Sequence, residues 1–372
     1  MIQQGDCVLA AVSGGADSVF LLYALKALSQ ELSCLVKVIH VEHGIRGESS
    51  LRDMEYVKQI CQAEELPWRV EHVDAPAFAK ASGTGIEEAA RMLRYQVFDR
   101  VAREEGACRI AVAHHMDDNA ETMLFHLARG TGLAGLAGIP PVRGKIIRPL
   151  LCISRDEIED WLSENKISWC VDETNTDVSL SRNLIRAEVL PKLKEINASA
   201  VFHMAETAEM LRKTTEFLDH ASEELCRDTS CEGTLAIEKL SGADPVVAEH
   251  LVYRTLHHVA GSTKDLTREH VKSVCALAHK QVGKQVDLPY DMVAERTYDA
   301  ILIRRQTEEA SVPGYQEACD APENDASGIF LQIPGRTSLG RDCFIEAKII
   351  SYDGKEEKIP RNPYTKWFDY DK

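Results

Sequence analysis

Ser13-Gly14-Gly15-Ala16-Asp17-Ser18 directly follows the apolar run Cys7 to Val12 and directly precedes an amphipathic stretch near Val19–Leu28. Its position between a strand and a helix is what makes it informative. At such a turn, small residues let backbone N–H groups approach phosphate oxygens, and the helix N-terminus adds about half a positive charge. The hydroxyls of Ser13 and Ser18 can donate further hydrogen bonds. The loop is not a Walker A motif, because the G-x-x-x-x-G-K-[ST] spacing and its lysine are absent.

Further along, Leu35 to Val41, Trp68 to Val73 and Arg109 to Ala113 read as strands, with helical patterns at Leu51–Glu64 and Ile86–Glu104 between them. Strand–helix alternation predicts an α/β fold of repeated βαβ units around a mainly parallel sheet. A fourth helix should begin near Asp118 and stop at Gly130, where glycine can take the left-handed cap conformation. Ser154-Arg155-Asp156-Glu157 matches a capping box opening a helix to about Asn165, and a polar loop, Asp172-Glu173-Thr174-Asn175, follows. A helical segment around Ser181–Glu195 closes a first domain, expected at 1–198.

From about Ala198 the pattern changes to long, charge-laced helices, to about Cys226, then Pro245–Val259 and Thr267–His279. Short strand candidates lie around Leu235–Ile237 and within Val286–Arg304. This predicts a second, mostly helical domain over 199–310. The polar, turn-rich stretch 311–327 reads as a linker, and Gly328–Ser351 alternates like a strand, so 311–372 is read as a linker and the start of a further domain.

With 43 Lys or Arg against 59 Asp or Glu, the net charge is −16, and 44% of residues are hydrophobic. That apolar fraction excludes a wholly disordered chain. No stretch approaches the roughly 18 apolar residues of a spanning helix, and the start has neither the basic region nor the apolar run of a signal peptide. Eleven cysteines without a C-x-x-C pair fit a reduced, cytoplasmic setting. No segment is a basic arm, which taken alone points to a small-molecule enzyme. Any nucleic-acid partner must be held by local Arg and Lys clusters or from outside this chain.

A second constellation, His114-His115-Met116-Asp117-Asp118-Asn119-Ala120-Glu121-Thr122, follows a predicted strand, at the end where open α/β sheets bind ligands. Asp117 or Asp118 with Glu121 lie three or four residues apart, so on a helix they share one face and can present two carboxylates to Mg²⁺ or to an ammonium group. The adjacent histidines lack cysteine partners at zinc spacing and are read as core or hydrogen-bonding groups. A third motif, His40-Val41-Glu42-His43-Gly44-Ile45-Arg46-Gly47, opens on the same edge; there Arg46 can clamp a phosphate, with His43 hydrogen-bonding to it. Gly130-Thr131-Gly132-Leu133-Ala134-Gly135 fits G-x-G-x-x-G but follows a helix and is discarded as a dinucleotide site.

Taken in order with Glu88-Ala89-Ala90-Arg91-Met92-Leu93-Arg94-Tyr95, Arg129–Leu133, Arg148-Pro149-Leu150-Leu151, Asp172–Asn175 and Ser181-Arg182-Asn183-Leu184-Ile185-Arg186, these motifs resemble the tRNA(Ile)-lysidine synthetase family of PP-loop ATP pyrophosphatases. The resemblance spans nearly the whole chain. It implies an adenine nucleotide α-hydrolase-like sheet and a ligase that binds tRNA(Ile) with a CAU anticodon. The wobble cytidine is adenylated at C2 with ATP, and the ε-amine of free L-lysine then attacks to form lysidine. Pyrophosphate leaves first and AMP second.

The same resemblance implies site roles. Ser13, Gly14, Gly15, Ala16, Asp17 and Ser18 should hold the ATP phosphates, with Asp17 and Asp117 as Mg²⁺ candidates. Asp117, Asp118 and Glu121 are candidates for the metal or the lysine ammonium. Arg46, Arg91 and Arg94 are candidates for stabilising the adenylated cytidine or its phosphates, and His43, Arg182 and Arg186 for contacts to lysine, nucleotide or tRNA. No membrane partner is expected, and a homodimer is admitted. The family usually continues beyond Asn362–Asp371 into a basic, strand-rich domain that grips the acceptor end, so the stop at Lys372 reads as a C-terminal truncation.

Free lysine, with a side-chain pKa of about 10.4, is mostly protonated at neutral pH, so the site must remove a proton. His43, Asp117 and Glu121 remain open as the base. One alternative is a PP-loop tRNA thiolase, which delivers sulfur through cysteines; here Cys226 and Cys231 stand apart, without a C-x-x-C pair. The other is a non-catalytic nucleotide-binding regulator, which would need the loop without the acidic and arginine motifs that follow it.

Overall fold

The computed structural model describes residues 1–45, 47–171, 181–226, 233–261, 265–306, 335–340 and 343–347. Arg46, the loop Asp172–Asn175 and the expected linker lie outside the described residues. The chain divides by contacts into Met1–Leu225 and Cys226–Lys372, so the long helix from Ala200 groups with the first unit.

In the first unit the order is β1 (Cys7–Ala11), α1 (Ala16–Leu32), β2 (Leu35–Glu42), α2 (Glu48–Ala63), β3 (Trp68–His72), α3 (Ala75–Ser82), α4 (Ile86–Glu104), β4 (Arg109–Ala111), α5 (Met116–Arg129), α6 (Leu133–Leu136), β5 (Val142–Arg143), β6 (Ile146–Ile147) and α7 (Arg155–Glu164). Then come α8 (Ser181–Leu184), a π-helical turn (Ile185–Val189), α9 (Leu190–Ile196) and α10 (Ala200–Cys226). The sheet runs β3-β2-β1-β4-β6-β5, with every pairing parallel except that of the short edge strand β5.

The strands are continuous apolar runs because both faces of the sheet are covered. Val8 and Ala10 of β1 belong to a core with Val19, Leu22 and Leu25 of α1 and Ile158 and Leu162 of α7. The alternate residue, Leu9, joins the opposite core with Val97, Phe98 and Val101 of α4. Strand order reverses between β1 and β4, so the loops leaving their carboxyl ends diverge and open a crevice there. The phosphate-loop candidate and the His114–Glu121 motif flank that crevice.

The second unit contains β7 (Thr234–Ala236), α11 (Ile237–Gly242), α12 (Pro245–Ala260), α13 (Arg268–Leu277), β8 (Gln285–Leu288), β9 (Met292–Arg296) and β10 (Ala300–Arg305), followed by the pair β11 (Gly335–Gly340) and β12 (Cys343–Ala347). Beside its helices it carries an antiparallel sheet, β7-β10-β9-β8, more strand than its expected mostly helical character. Val286–Arg304 forms three hairpin-connected strands because the turns at Tyr290–Asp291 and Thr297–Asp299 break it; Tyr290 and Asp291 take positive φ. Among the described residues, no helix is long and apolar enough to cross a membrane.

Candidate active site

The loop after β1 is shaped by one hydroxyl. Ser18 Oγ accepts from the backbone N–H groups of Ser13 and Gly14, each at 3.1 Å, and donates to the Gly15 carbonyl at 2.9 Å. This closes the chain over the first turn of α1. Gly14 sits at φ +102°, where a side chain is strained, and a Cβ there would touch Cys170 Sγ at 3.4 Å and the Asp53 carbonyl at 3.6 Å. Gly15 caps α1 with no side-chain hydrogen bond, so the helix presents its first-turn N–H groups without a side-chain acceptor. Asp17 stands at that mouth. Burial raises its carboxyl, the nearby Asp118 adds to the rise, and His115 opposes it; Asp17 Oδ1 is buried without a hydrogen-bond partner.

Across the crevice, α5 starts at His115, whose backbone N–H donates to Asp118 Oδ2 at 3.1 Å. The His115 ring is buried, 1% exposed, with Nε2 3.5 Å from Asp118 Oδ2 and 3.7 Å from Asp17 Oδ2. It therefore bridges the phosphate loop and the acidic helix. Of the carboxylates expected to share a face, Asp118 and Glu121 do: both bind Arg186, which donates from Nε to Glu121 Oε1 at 2.5 Å and from Nη2 to Glu121 Oε2 and Asp118 Oδ1, each at 3.0 Å. Burial pushes the Glu121 carboxyl up, against the pull of Arg186.

Asp117 points elsewhere. Its Oδ2 accepts the Arg155 backbone N–H, the first of α7, at 2.9 Å, and its Oδ1 lies 3.3 Å from Lys194 Nζ on α9. Lys194 also reaches Asp156 at 3.2 Å. These residues, with His115, Glu121, Arg155, Arg186, Leu190 and Pro191, line a cleft of about 140 Å³. It has room for a ligand about the size of an amino acid and offers both signs of charge.

The arginines sort by place. Arg186 enters the cleft, whereas Arg182, four residues earlier, stays exposed and acts on His114 instead; the π-helical turn from Ile185 intervenes. Arg94 donates from Nε to His43 Nε2 at 3.3 Å, and Arg91 Cζ lies 5.2 Å from the Tyr95 ring centroid. His114 is pushed down to about 4, first by burial and then by Arg148, Arg91 and Arg182, against the pull of Asp118. It is therefore neutral in the working range.

Sequence reasoning missed Lys194, which had no motif to mark it. Arg148 lay inside a quoted motif without a role, and the histidine pair was read as core or hydrogen-bonding groups, with no sign that the buried His115 joins the two halves of the site. Among the described residues, no three His, Cys, Asp or Glu side chains form a metal cage.

A family model described as a PP-loop domain matches residues 2–193. A tRNA(Ile)-lysidine synthase of Caldanaerobacter subterraneus subsp. tengcongensis is 32% identical over 100% of this chain and 78% of its own length. One of Dehalococcoides mccartyi is 34% identical over 97% of this chain and 75% of its own length. A third, of Thermotoga sp. (strain RQ2), is 43% identical across 219 residues, 58% of this chain and 53% of its own length.

Proposed function

Since the chain belongs to the tRNA(Ile)-lysidine synthase family of PP-loop proteins, we propose that it is an ATP-dependent ligase that joins free lysine to C2 of the wobble cytidine in tRNA(Ile) with a CAU anticodon. In the first step the C2 oxygen of the cytidine attacks the α-phosphorus of ATP and pyrophosphate leaves. In the second, the lysine ε-amine adds at C2, a proton is lost, and AMP departs with the oxygen.

The observation that carries this reading is the buried His115 ring, within 3.7 Å of Asp17 at the phosphate loop and 3.5 Å of Asp118 on the acidic helix. It sets an anion-binding turn and a cation-binding carboxylate pair side by side, as transfer of an adenylyl group followed by attack of an amine requires. The first-turn N–H groups of α1 hold phosphate oxygens, and Gly14 keeps the loop clear of a side chain. The orphaned Asp17 Oδ1 fits a Mg²⁺ ion that also takes phosphate oxygens, which is how Mg²⁺ is usually held. Bound there, the ion would neutralise charge on the departing pyrophosphate. Asp117 could join it only by releasing Lys194 or the Arg155 N–H.

The mixed-charge cleft suits free lysine, whose two ammonium groups and one carboxylate need partners of both signs. Asp118 and Glu121 select the ε-ammonium, and Arg155 and Arg186 answer the carboxylate. The base is one of Glu121, Asp117 and His43, all engaged in the resting site, by Arg186, by the Arg155 N–H with Lys194, and by Arg94; Glu121, its basicity raised by burial, takes the proton once lysine draws Arg186 away. Arg91, Arg94 and Arg182 face the nucleic-acid side, with Arg46 as a further candidate.

The test is labelled-lysine incorporation into a tRNA(Ile) transcript bearing CAU, with and without Asp17→Ala. Lysine in the wobble nucleotide, reduced at least a hundredfold by the substitution, supports the assignment. Nucleotide binding with no incorporation by the unmodified chain counts against it. Sulfur incorporation that is lost when cysteines are alkylated would favour the thiolase alternative.

A further inference from the structure

The chain is acidic, yet several of its described arginines meet no acid, and one group of these is clustered. In the first unit Arg69, Arg100, Arg155 and Arg186 each lie within 4 Å of a carboxylate. Several other described arginines, Arg94, Arg129 and Arg212 among them, have no carboxylate within that distance, although acidic residues outnumber basic ones 59 to 43; what sets Arg91, Arg143, Arg148 and Arg182 apart is their placement. These four are gathered. Arg91 Cζ and Arg143 Cζ lie 5.2 and 5.8 Å from the same Tyr95 ring centroid, one from α4 and the other from the β5–β6 hairpin. Arg148, the residue after β6, is only 3% exposed, donates from Nη1 to the Pro140 carbonyl at 2.5 Å, and leaves its Nε without a partner. Burial first, and then Arg143 and Arg91, hold its guanidinium below the usual range, and Arg182 joins the group through His114.

Like charges are not collected without a counter-charge at no cost; such a cluster is stabilised when an anion enters it. We propose that the exposed Arg91 and Arg143, held around Tyr95 and backed by the charge of the buried Arg148, form a docking surface for the phosphodiester backbone of the RNA substrate next to the reacting nucleotide. The proposal rests on the functional reading above. The cluster sits on α4 and the β5–β6 hairpin, apart in sequence from the phosphate loop after β1, and the ATP arm of the test below separates the two anions. Guanidiniums anchored on two separate elements suit successive phosphates of a strand better than one small anion. The Tyr95 ring, already carrying two guanidiniums, serves to hold them in place rather than to stack a base.

Arg143 is the probe, because its side chain is exposed and, among the described residues, makes no hydrogen bond and touches only the Tyr95 ring, so its replacement should leave the fold intact. Binding of a CAU tRNA(Ile) transcript to the full chain is measured against salt concentration for wild type, Arg143→Gln, Arg143→Glu and Arg143→Lys. The glutamine variant is expected to bind about three- to tenfold more weakly, with the slope of log K against log salt shallower by about 0.7, the share of one single-strand phosphate. The glutamate variant should bind more weakly still, the lysine variant should keep the wild-type slope, and ATP affinity should not change. Unchanged slopes would overturn the surface alone, and a parallel fall in ATP affinity would move the arginines to the nucleotide. A wild-type chain that binds no tRNA would overturn the functional reading and this proposal with it.

Discussion

Arg186 and Glu121 are joined by two hydrogen bonds, 2.5 and 3.0 Å long, across the crevice between the helix that follows β4 and the segment that closes the domain. The fork geometry fixes both side chains, since a bidentate guanidinium–carboxylate pair admits one mutual orientation. Glu121 is 3% exposed, so its charge depends on that partner.

Arg186→Met strips a buried carboxylate of its cation. Because Arg186 is itself about a third exposed, the expected loss is about 2 kcal/mol, short of the roughly 3–5 kcal/mol of fully buried pairs. Thermal melting should shift down by about 4–8 °C. The KM for lysine should rise at least tenfold while ATP affinity is kept, and Arg186→Lys should recover charge without the fork and so rescue only part. An unchanged lysine KM would remove Arg186 from the lysine site.

Ser18→Ala deletes the hydroxyl that the Ser13 and Gly14 N–H groups share. Leaving buried donors without an acceptor costs about 1–3 kcal/mol, and the loop loses its closed shape. ATP affinity measured by calorimetry should fall at least tenfold, whereas Ser18→Thr, which keeps the oxygen, should retain most of it. Equal affinity in wild type and Ser18→Ala would show that the loop does not hold the phosphates.

His114 sets a pH signature. Its folded pKa, about 4, lies below the ordinary 6.5, so between those values the unfolded chain binds a proton that the folded chain refuses. Stability from this group is complete above about pH 6.5 and is lost as pH falls toward 4, at most about 3 kcal/mol. Asp17 and Glu121, whose carboxyls are raised, act in the opposite direction, so the contrast with His114→Gln isolates the histidine. Denaturant melts at pH 7 and pH 5 should show a smaller loss for the variant; equal losses would place a proton on His114 in the folded state.

The sheet was legible because buried parallel strands are continuous apolar runs, and four of them alternate with helical periods. β5 and β6 were not, because two residues have no periodicity, although Ile146 and Ile147 pair with β4 and so extend the sheet. α3 was passed over despite a signal, Asp74 capping Ala77 N at 2.8 Å with a proline in the first turn. In the site, residue spacing correctly suggested that carboxylates of α5 share a face, but could not say which aspartate joined Glu121. That depends on tertiary partners, Arg155 N–H and Lys194, which draw Asp117 away. Arg182 and Arg186, four apart on an ideal helix, separate at a π-helical turn that no local pattern announced.

With the adenylyl group placed on the RNA base and lysine as the second substrate, the most direct test is ATP–pyrophosphate exchange with each substrate omitted in turn. Exchange that requires the CAU tRNA, proceeds without lysine and vanishes in Asp17→Ala is the predicted result. Exchange that requires lysine and runs without tRNA would mean that the amino acid is adenylated instead, and would overturn the proposed order of chemistry.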